Sequence, residues 1–237
     1  VSCLPKNGVA ILNADDDYFG YWSDLAGARK ILSFGSDGDF YSEREDLTGD
    51  GSSFSLGLCG KTYGVTINYL GRHNISNALA ASAAAYAVGV SIPDIVSSLA
   101  SCLPTKGRLY PMKGKNGISI LDDTYNANPS ALLAALNVLE NKNGAKWVIM
   151  GDMKELGRFS SGYHHDAGKQ MKNAGVDRLF TLGEMGIQVA KGFQGLVEHF
   201  SNKEKLISRI LEISVKSEVD INLLVKGSRA MQLEAVV

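Results

Sequence analysis

The chain reads as an α/β protein whose second half is built on a mostly parallel sheet. Three observations predict this. Apolar runs of strand length alternate with helix-length segments from residue 118 to the C-terminal end, the order expected of βαβ units. Several of these runs end in polar or glycine-containing tips, as in LDDTYNANP, GDMKELG and VKGSR. A short Pro-Thr-Lys-Gly segment at 104–107 separates this half from a first half of different character.

Residues 9–12 (VAIL) form a short apolar run ending in Asn13, Ala14 and three aspartates, a strand tip, and 30–34 (KILSF) reads as a second strand. The stretch 52–70 mixes alternation with glycines, as an antiparallel hairpin would. An alanine-rich helix is expected over 73–88, and another over 92–103 with Pro93 in its first turn. Beyond the 104–107 linker, strand 118–121 precedes helix 129–142, strand 146–150 precedes helix 162–174, and strand 178–182 precedes helix 184–192. Helix 203–216 then leads to strand 221–225, with a terminal helix expected from about Ser228. The expected domains are 1–104 and a Rossmann-like domain over 105–237.

At 45% hydrophobic and 21% charged residues, the composition is that of a globular protein. A net charge of -1 gives no whole-chain attraction to nucleic acid or anionic membrane, so an anionic ligand needs a local site. Cys3, Cys59 and Cys102 are odd in number, widely spaced and free of CxxC pairs, which fits a reducing cytoplasm and gives no zinc set. No apolar run reaches the roughly 18 residues that span a bilayer, and no charged-then-apolar leader is present. Membrane insertion is not expected. The chain opens at Val1 without a methionine, which suggests a cut-down fragment.

In open α/β sheets, ligands bind at the carboxyl ends of strands. LDDTYNANP places Asp122, Asp123, Thr124, Tyr125, Asn126 and Asn128 at such an end, although Asp and Asn also serve turns and helix caps. The Gly60-Lys61-Thr62 triplet lacks the glycine a phosphate loop needs five positions earlier, where Ser55 stands, and an alternating stretch rather than a helix follows it. It is read as a hairpin turn. In GRHNISNALAA, Asn74 and Asn77 share a helix face near the N-terminus, where free N–H groups favour anionic or polar ligands; an ordinary capped helix explains the pattern equally well. Arg108 lies beside the interdomain linker, where it could reach a phosphate or simply be solvated. The acidic residues of GDMKELG could receive an amine or cap a helix. His164, His165 and Asp166 have no further His or Cys spaced to complete a metal site and read as a helix start. Lys226, Ser228 and Arg229 put two cations and a hydroxyl at one strand tip, a receptor for carboxylate or phosphate.

GRHNISNALAA, PTKGR, LDDTYNANPSA, VIMGDMKELG, LVKGSR and the opening AILNADDDYFGYW, taken in this order, resemble the Mur ligase family. YNANP and GDMKELG resemble the branch that adds D-alanyl-D-alanine to UDP-N-acetylmuramoyl-tripeptide, rather than its sister ligases or folylpolyglutamate synthase. The resemblance implies the second half of a central ATPase domain followed by a Rossmann-like ligase domain. It implies a cytoplasmic amide ligase of peptidoglycan synthesis that uses ATP and Mg2+ and proceeds through an acyl phosphate. The family's phosphate loop, its magnesium-binding Glu and His and its carbamylated lysine would lie upstream of Val1, so the isolated chain is expected to be inactive. By motif position, the implied nucleotide contacts are Asn74, Asn77, Arg108, Asp123 and Tyr125. The implied dipeptide side is Asn126, Asn128, Lys226, Ser228 and Arg229, with Arg108 and Asn126 at the reacting groups. Rotation about the 105–107 joint would close the site. A non-catalytic module binding nucleotide or dipeptide is the alternative.

Overall fold

The computed structural model describes residues 1–237, which divide into two compact units, Val1–Leu103 and Pro104–Val237. The first unit runs β1 (Val9–Asn13), α1 (Phe19–Ala26), β2 (Lys30–Phe34), β3 (Phe40–Leu47), β4 (Ser52–Leu58), β5 (Lys61–Ile67), α2 (Arg72–Ala87) and α3 (Ile92–Ser101). Its five strands lie in sequence order in one sheet, parallel from β1 to β3 and antiparallel from β3 to β5.

The β4–β5 hairpin turns on Cys59 and Gly60, both left-handed at φ 49° and 73°, as a two-residue primed turn requires. Lys61 pairs with Leu58 as the first residue of β5, so the Gly-Lys-Thr triplet is hairpin and carries no phosphate-loop helix. In α2 the buried residues Ile75, Ala78, Leu79, Ser82 and Ala83 fall on one stripe. That stripe packs with Ile92 and Ile95 of α3 against Phe40, Phe54, Leu56 and Val65 of the sheet. Ala26 of α1 joins Ala10 and Leu12 of β1 in a separate small cluster.

The second unit runs β6 (Tyr110–Lys113), β7 (Ser119–Asp123), α4 (Pro129–Glu140), β8 (Ala145–Gly151), α5 (Ser160–Asn173), β9 (Arg178–Leu182), α6 (Gly186–Phe193), β10 (Val197–Phe200), α7 (Lys203–Ser214) and β11 (Ile221–Lys226). The spatial order is β10-β9-β8-β11-β7-β6, parallel except for β6 at the edge. The last strand therefore lies between β7 and β8. Its register pairs Lys226 with both Asp123 and Met150, which brings three strand tips side by side.

All six residues of β11 are buried, as a central strand covered on both faces demands. Ile118, Ile120, Trp147, Ile149, Leu223 and Val225 face α7, where Leu206 and Ile210 meet them. By strand alternation the intervening residues face the opposite side, where α4 packs on β11 and α5 lies against α4 and α6. No helix is long and apolar enough to cross a membrane.

Five elements depart from the sequence expectation. α1, β3, β6 and β10 were not anticipated, and the terminal helix is replaced by two short 3-10 turns, Arg229–Met231 and Leu233–Ala235. β3 buries only its first residue, Phe40, so FYSEREDL shows no alternation to read. β6 contains Pro111 and survives as an edge strand paired only to β7. Gln232 takes a left-handed conformation between the two turns, which stops a helix from propagating.

α5 and α6 approach closely at Gly168 and Gly192. A Cβ on Gly168 would collide with the Val189 carbonyl, and one on Gly192 with the His165 carbonyl. Gly168→Ala should therefore lower unfolding free energy by about 1–3 kcal/mol through overpacking. Gly162→Ala, on the same helix and in open space, should be neutral or stabilising by up to ~1 kcal/mol. Urea denaturation of the two variants checks this, and equal effects would disprove the close-packing argument.

Candidate functional site

At the tip of β7 the twin aspartates have different partners because strand alternation turns them to opposite sides. Asp122 is buried and accepts from Gly107 N–H at 2.9 Å, from Thr124 N–H at 3.2 Å and from the Thr124 hydroxyl at 2.7 Å. Asp123 accepts from Leu109 N–H at 3.2 Å through Oδ1, while its Oδ2 takes a hydrogen bond from Lys226 Nζ. The two carboxylates thus hold the residues on either side of Arg108.

Gly107 and Leu109 are both left-handed, and the Gly107 carbonyl accepts from Tyr125 N–H at 2.9 Å. Held this way, the exposed Arg108 guanidinium lies over the Tyr125 ring, 4.2 Å from its centroid, a cation–π arrangement. A cleft of about 350 Å³ opens beside this cluster, lined in part by Lys106, Gly107, Tyr110, Asp122, Tyr125 and Arg229.

Lys226, on β11, is 1% exposed. Its ammonium donates to Asp123 and, at 3.0 Å, to the Asn126 carbonyl. Lys226 is therefore a buried counter-charge for Asp123 rather than an outward cation. Two of the roughly four lone-pair sites on the Asp123 carboxylate remain open for a donor such as a sugar hydroxyl. Asn126 is exposed, with its Oδ1 turned to the following N–H, and Asn128 caps α4 by accepting from Ala131 N–H at 2.8 Å. Pro129, next after that cap, needs no hydrogen-bond partner for a missing N–H in the first helical turn.

The tips of β8 and β11 are tied to each other. Ser228 N–H donates to the Asp152 carbonyl at 3.0 Å, and Lys154 N–H donates to the Ser228 hydroxyl at 2.8 Å. The Asp152 carboxylate is buried, accepting from Met185 N–H at 3.0 Å and from the Lys154 ammonium at 2.9 Å. That hydrogen bond holds the Lys154 pKa above its ordinary value, against the opposing effect of burial. Arg229, further out, is exposed and ion-paired with Glu234 at 3.0 Å.

In the first unit, Asn77 donates to Asn74 at 3.1 Å, and Asn74 donates to the Leu70 carbonyl at 2.9 Å. The shared helix face expected of them is present. No cluster of three or more His, Cys, Asp or Glu side chains is placed to hold a metal ion, so Mg2+ has no assigned ligands among these residues.

Of the site residues expected from sequence, Arg108, Asp123, Tyr125, Asn126 and Lys226 converge on one tip cluster. Asn128, Ser228 and Arg229 lie around it with structural partners of their own. Asp122, Thr124 and Asp152 belong to the strand-tip motifs but carry no expected role among the site residues, and neither Lys154 nor His164 is an expected site residue. Asp122 was recoverable, since it shares strand parity with Ile118 and Ile120 and so points into the core. His164 left no such signal.

Residues 1–85 match the Mur ligase middle domain, and residues 107–229 match the glutamate ligase domain of Mur ligases. The chain belongs to the Mur ligase family. Over 239 residues it is 37% identical to the UDP-N-acetylmuramoyl-tripeptide–D-alanyl-D-alanine ligase of Escherichia coli K12, covering 100% of this chain and 52% of that protein. The ligase of the same name from Bacillus subtilis is 31% identical, again over 100% of this chain and 52% of the relative. A crystal structure of MurF from Acinetobacter baumannii superposes with a TM-score of 0.91 at 33% identity, over 98% of this chain and 51% of that one. This Mur ligase chain thus spans about half the length of the curated relatives it matches.

Breaking the buried ion pair on one side leaves an uncompensated charge. Lys226→Met should cost about 3–5 kcal/mol of stability. Adding Asp123→Leu should recover part of that loss, because no half-buried carboxylate then lacks its partner. A double-mutant cycle by urea denaturation measures the coupling, and strictly additive losses would contradict it.

Proposed function

We propose that the protein carrying this chain is an ATP-dependent ligase that joins D-alanyl-D-alanine to UDP-N-acetylmuramoyl-tripeptide in peptidoglycan synthesis. The observation that carries this reading is the presentation of Arg108 on Tyr125 beside an Asp123 carboxylate that is held in place yet keeps open lone pairs. A fixed guanidinium suits a phosphate, and a half-satisfied carboxylate suits a ribose hydroxyl. The two substrates come from the names of the relatives that match across the whole chain.

In this reading ATP phosphorylates the terminal carboxylate of the tripeptide. The amine of the dipeptide attacks the resulting acyl phosphate, the C–N bond forms, and phosphate leaves. Arg108 stabilises charge on the transferring group as it develops. Asp123 and Tyr125 hold the nucleotide, with Asn74 and Asn77 on the adenine side. Asn126 and Asn128 lie on the dipeptide side, with Ser228 and Arg229 receiving its carboxylate. Lys226 acts there through Asp123 and the Asn126 carbonyl. Mg2+ would supply Lewis-acid stabilisation of the phosphates from ligands outside these residues. The cytoplasm is the compartment that fits ATP and a UDP-sugar substrate.

The test is phosphate release by the full-length protein, with ATP and the tripeptide nucleotide present, as D-alanyl-D-alanine is varied. Arg108→Ala should lower kcat by about 10²-fold or more. Asp123→Ala should raise KM for ATP well beyond any change from Lys61→Ala, which removes a hairpin side chain only. Equal effects at positions 123 and 61 would show that the nucleotide lies elsewhere. Nucleotide binding without any dipeptide-dependent turnover would instead identify a binding module.

A further inference from the structure

His164 is fully buried on α5, and both ring nitrogens are engaged. Nδ1 lies 2.7 Å from the Ser160 carbonyl, which can only accept, so Nδ1 carries the proton. Nε2 lies 2.9 Å from Met153 N–H, which can only donate, so Nε2 is the bare acceptor. The partners leave one neutral tautomer and no other. Met153 sits in the loop after β8, and the next N–H in that loop, from Lys154, binds the Ser228 hydroxyl at 2.8 Å. Ser228 Oγ accepts that hydrogen bond, and a hydroxyl that accepts one still has its own proton to donate.

We infer that His164 is a positioning residue: in its Nδ1–H form it clamps Met153 N–H, which sets the Lys154 amide on Ser228 and so orients the Ser228 hydroxyl toward the carboxylate of the acceptor dipeptide. This rests on the dipeptide placement proposed above. The side chain itself touches neither substrate. It fixes a backbone loop whose second link is the residue that does, and small displacements of such groups have large kinetic effects.

Two substitutions separate the two ring contacts. His164→Gln can return an acceptor oxygen to the Nε2 position, whereas His164→Asn can return only the donor to Ser160. In the full-length protein, His164→Asn should raise KM for D-alanyl-D-alanine about 10-fold while KM for ATP stays within about twofold. His164→Gln should remain within about threefold of the parent in both constants. Hydrogen exchange of the Met153 amide should be faster in the Asn variant than in the Gln variant. Equal KM values for the two variants, or a loss confined to ATP, would overturn the positioning role. An inactive parent enzyme would count against the proposed reaction alone, since the exchange difference at Met153 still tests the clamp. Equal exchange in the two variants would refute the clamp whatever the activity.

Discussion

An ammonium group taken out of water has to meet an anion and further acceptors, or the strand that carries it will not pack. Lys226 meets both conditions at the end of β11, through Asp123 on β7 and the Asn126 carbonyl. Much of the second unit depends on this pairing. It lies where the register of the last strand sets Lys226 opposite Asp123 on β7, with β11 in the middle of the sheet. It also gives the buried ammonium a carboxylate partner, while leaving part of that carboxylate open. One interaction therefore joins the closing of the sheet to the shaping of the site.

Around that pair, the strand tips are held by backbone groups more than by long side chains. Asp122 and Asp123 accept from the residues flanking Arg108, Ser228 and Asp152 tie β11 to β8, and His164 holds the loop after β8. Hydrogen bonds of this kind are geometrically narrow, and a donor left unpaired in such a buried position costs about 1–3 kcal/mol. The rim is accordingly tied to the sheet at several points. Its exposed groups, Arg108, Tyr125 and Asn126, stand beside those ties.

The elements read easily from the sequence were those with one dominant physical signal. The stripe of α2, the Asn128-Pro129 start of α4 and the apolar run of β11 each follow from periodicity or capping within a single segment. β3, β6 and β10 were opaque because their pairing partners, rather than their own residues, make them strands. The Gly-Lys-Thr triplet is legible as a hairpin because the alternation after it is a local property. His164 was passed over because its role requires α5 to lie against the β8 loop, a contact between residues 11 apart that no spacing rule announces.

What the amino-acid sequence determined by itself was the α/β class, the mostly parallel second sheet, the family and the strand tips at which chemistry is to be sought. The class, the sheet and the tips follow from short-range physics, namely hydrophobic period, turn residues and caps, whereas the family follows from the resemblance of the motifs taken in order. What only the tertiary structure decided was the job of each polar residue at those tips. LDDTYNANP does not reveal that Asp122 holds Gly107 or that Asp123 meets Lys226, more than a hundred residues away. The reason is that a carboxylate's role is set by which donors reach it, and those donors arrive from β11 and the 104–109 segment only when the sheet has closed.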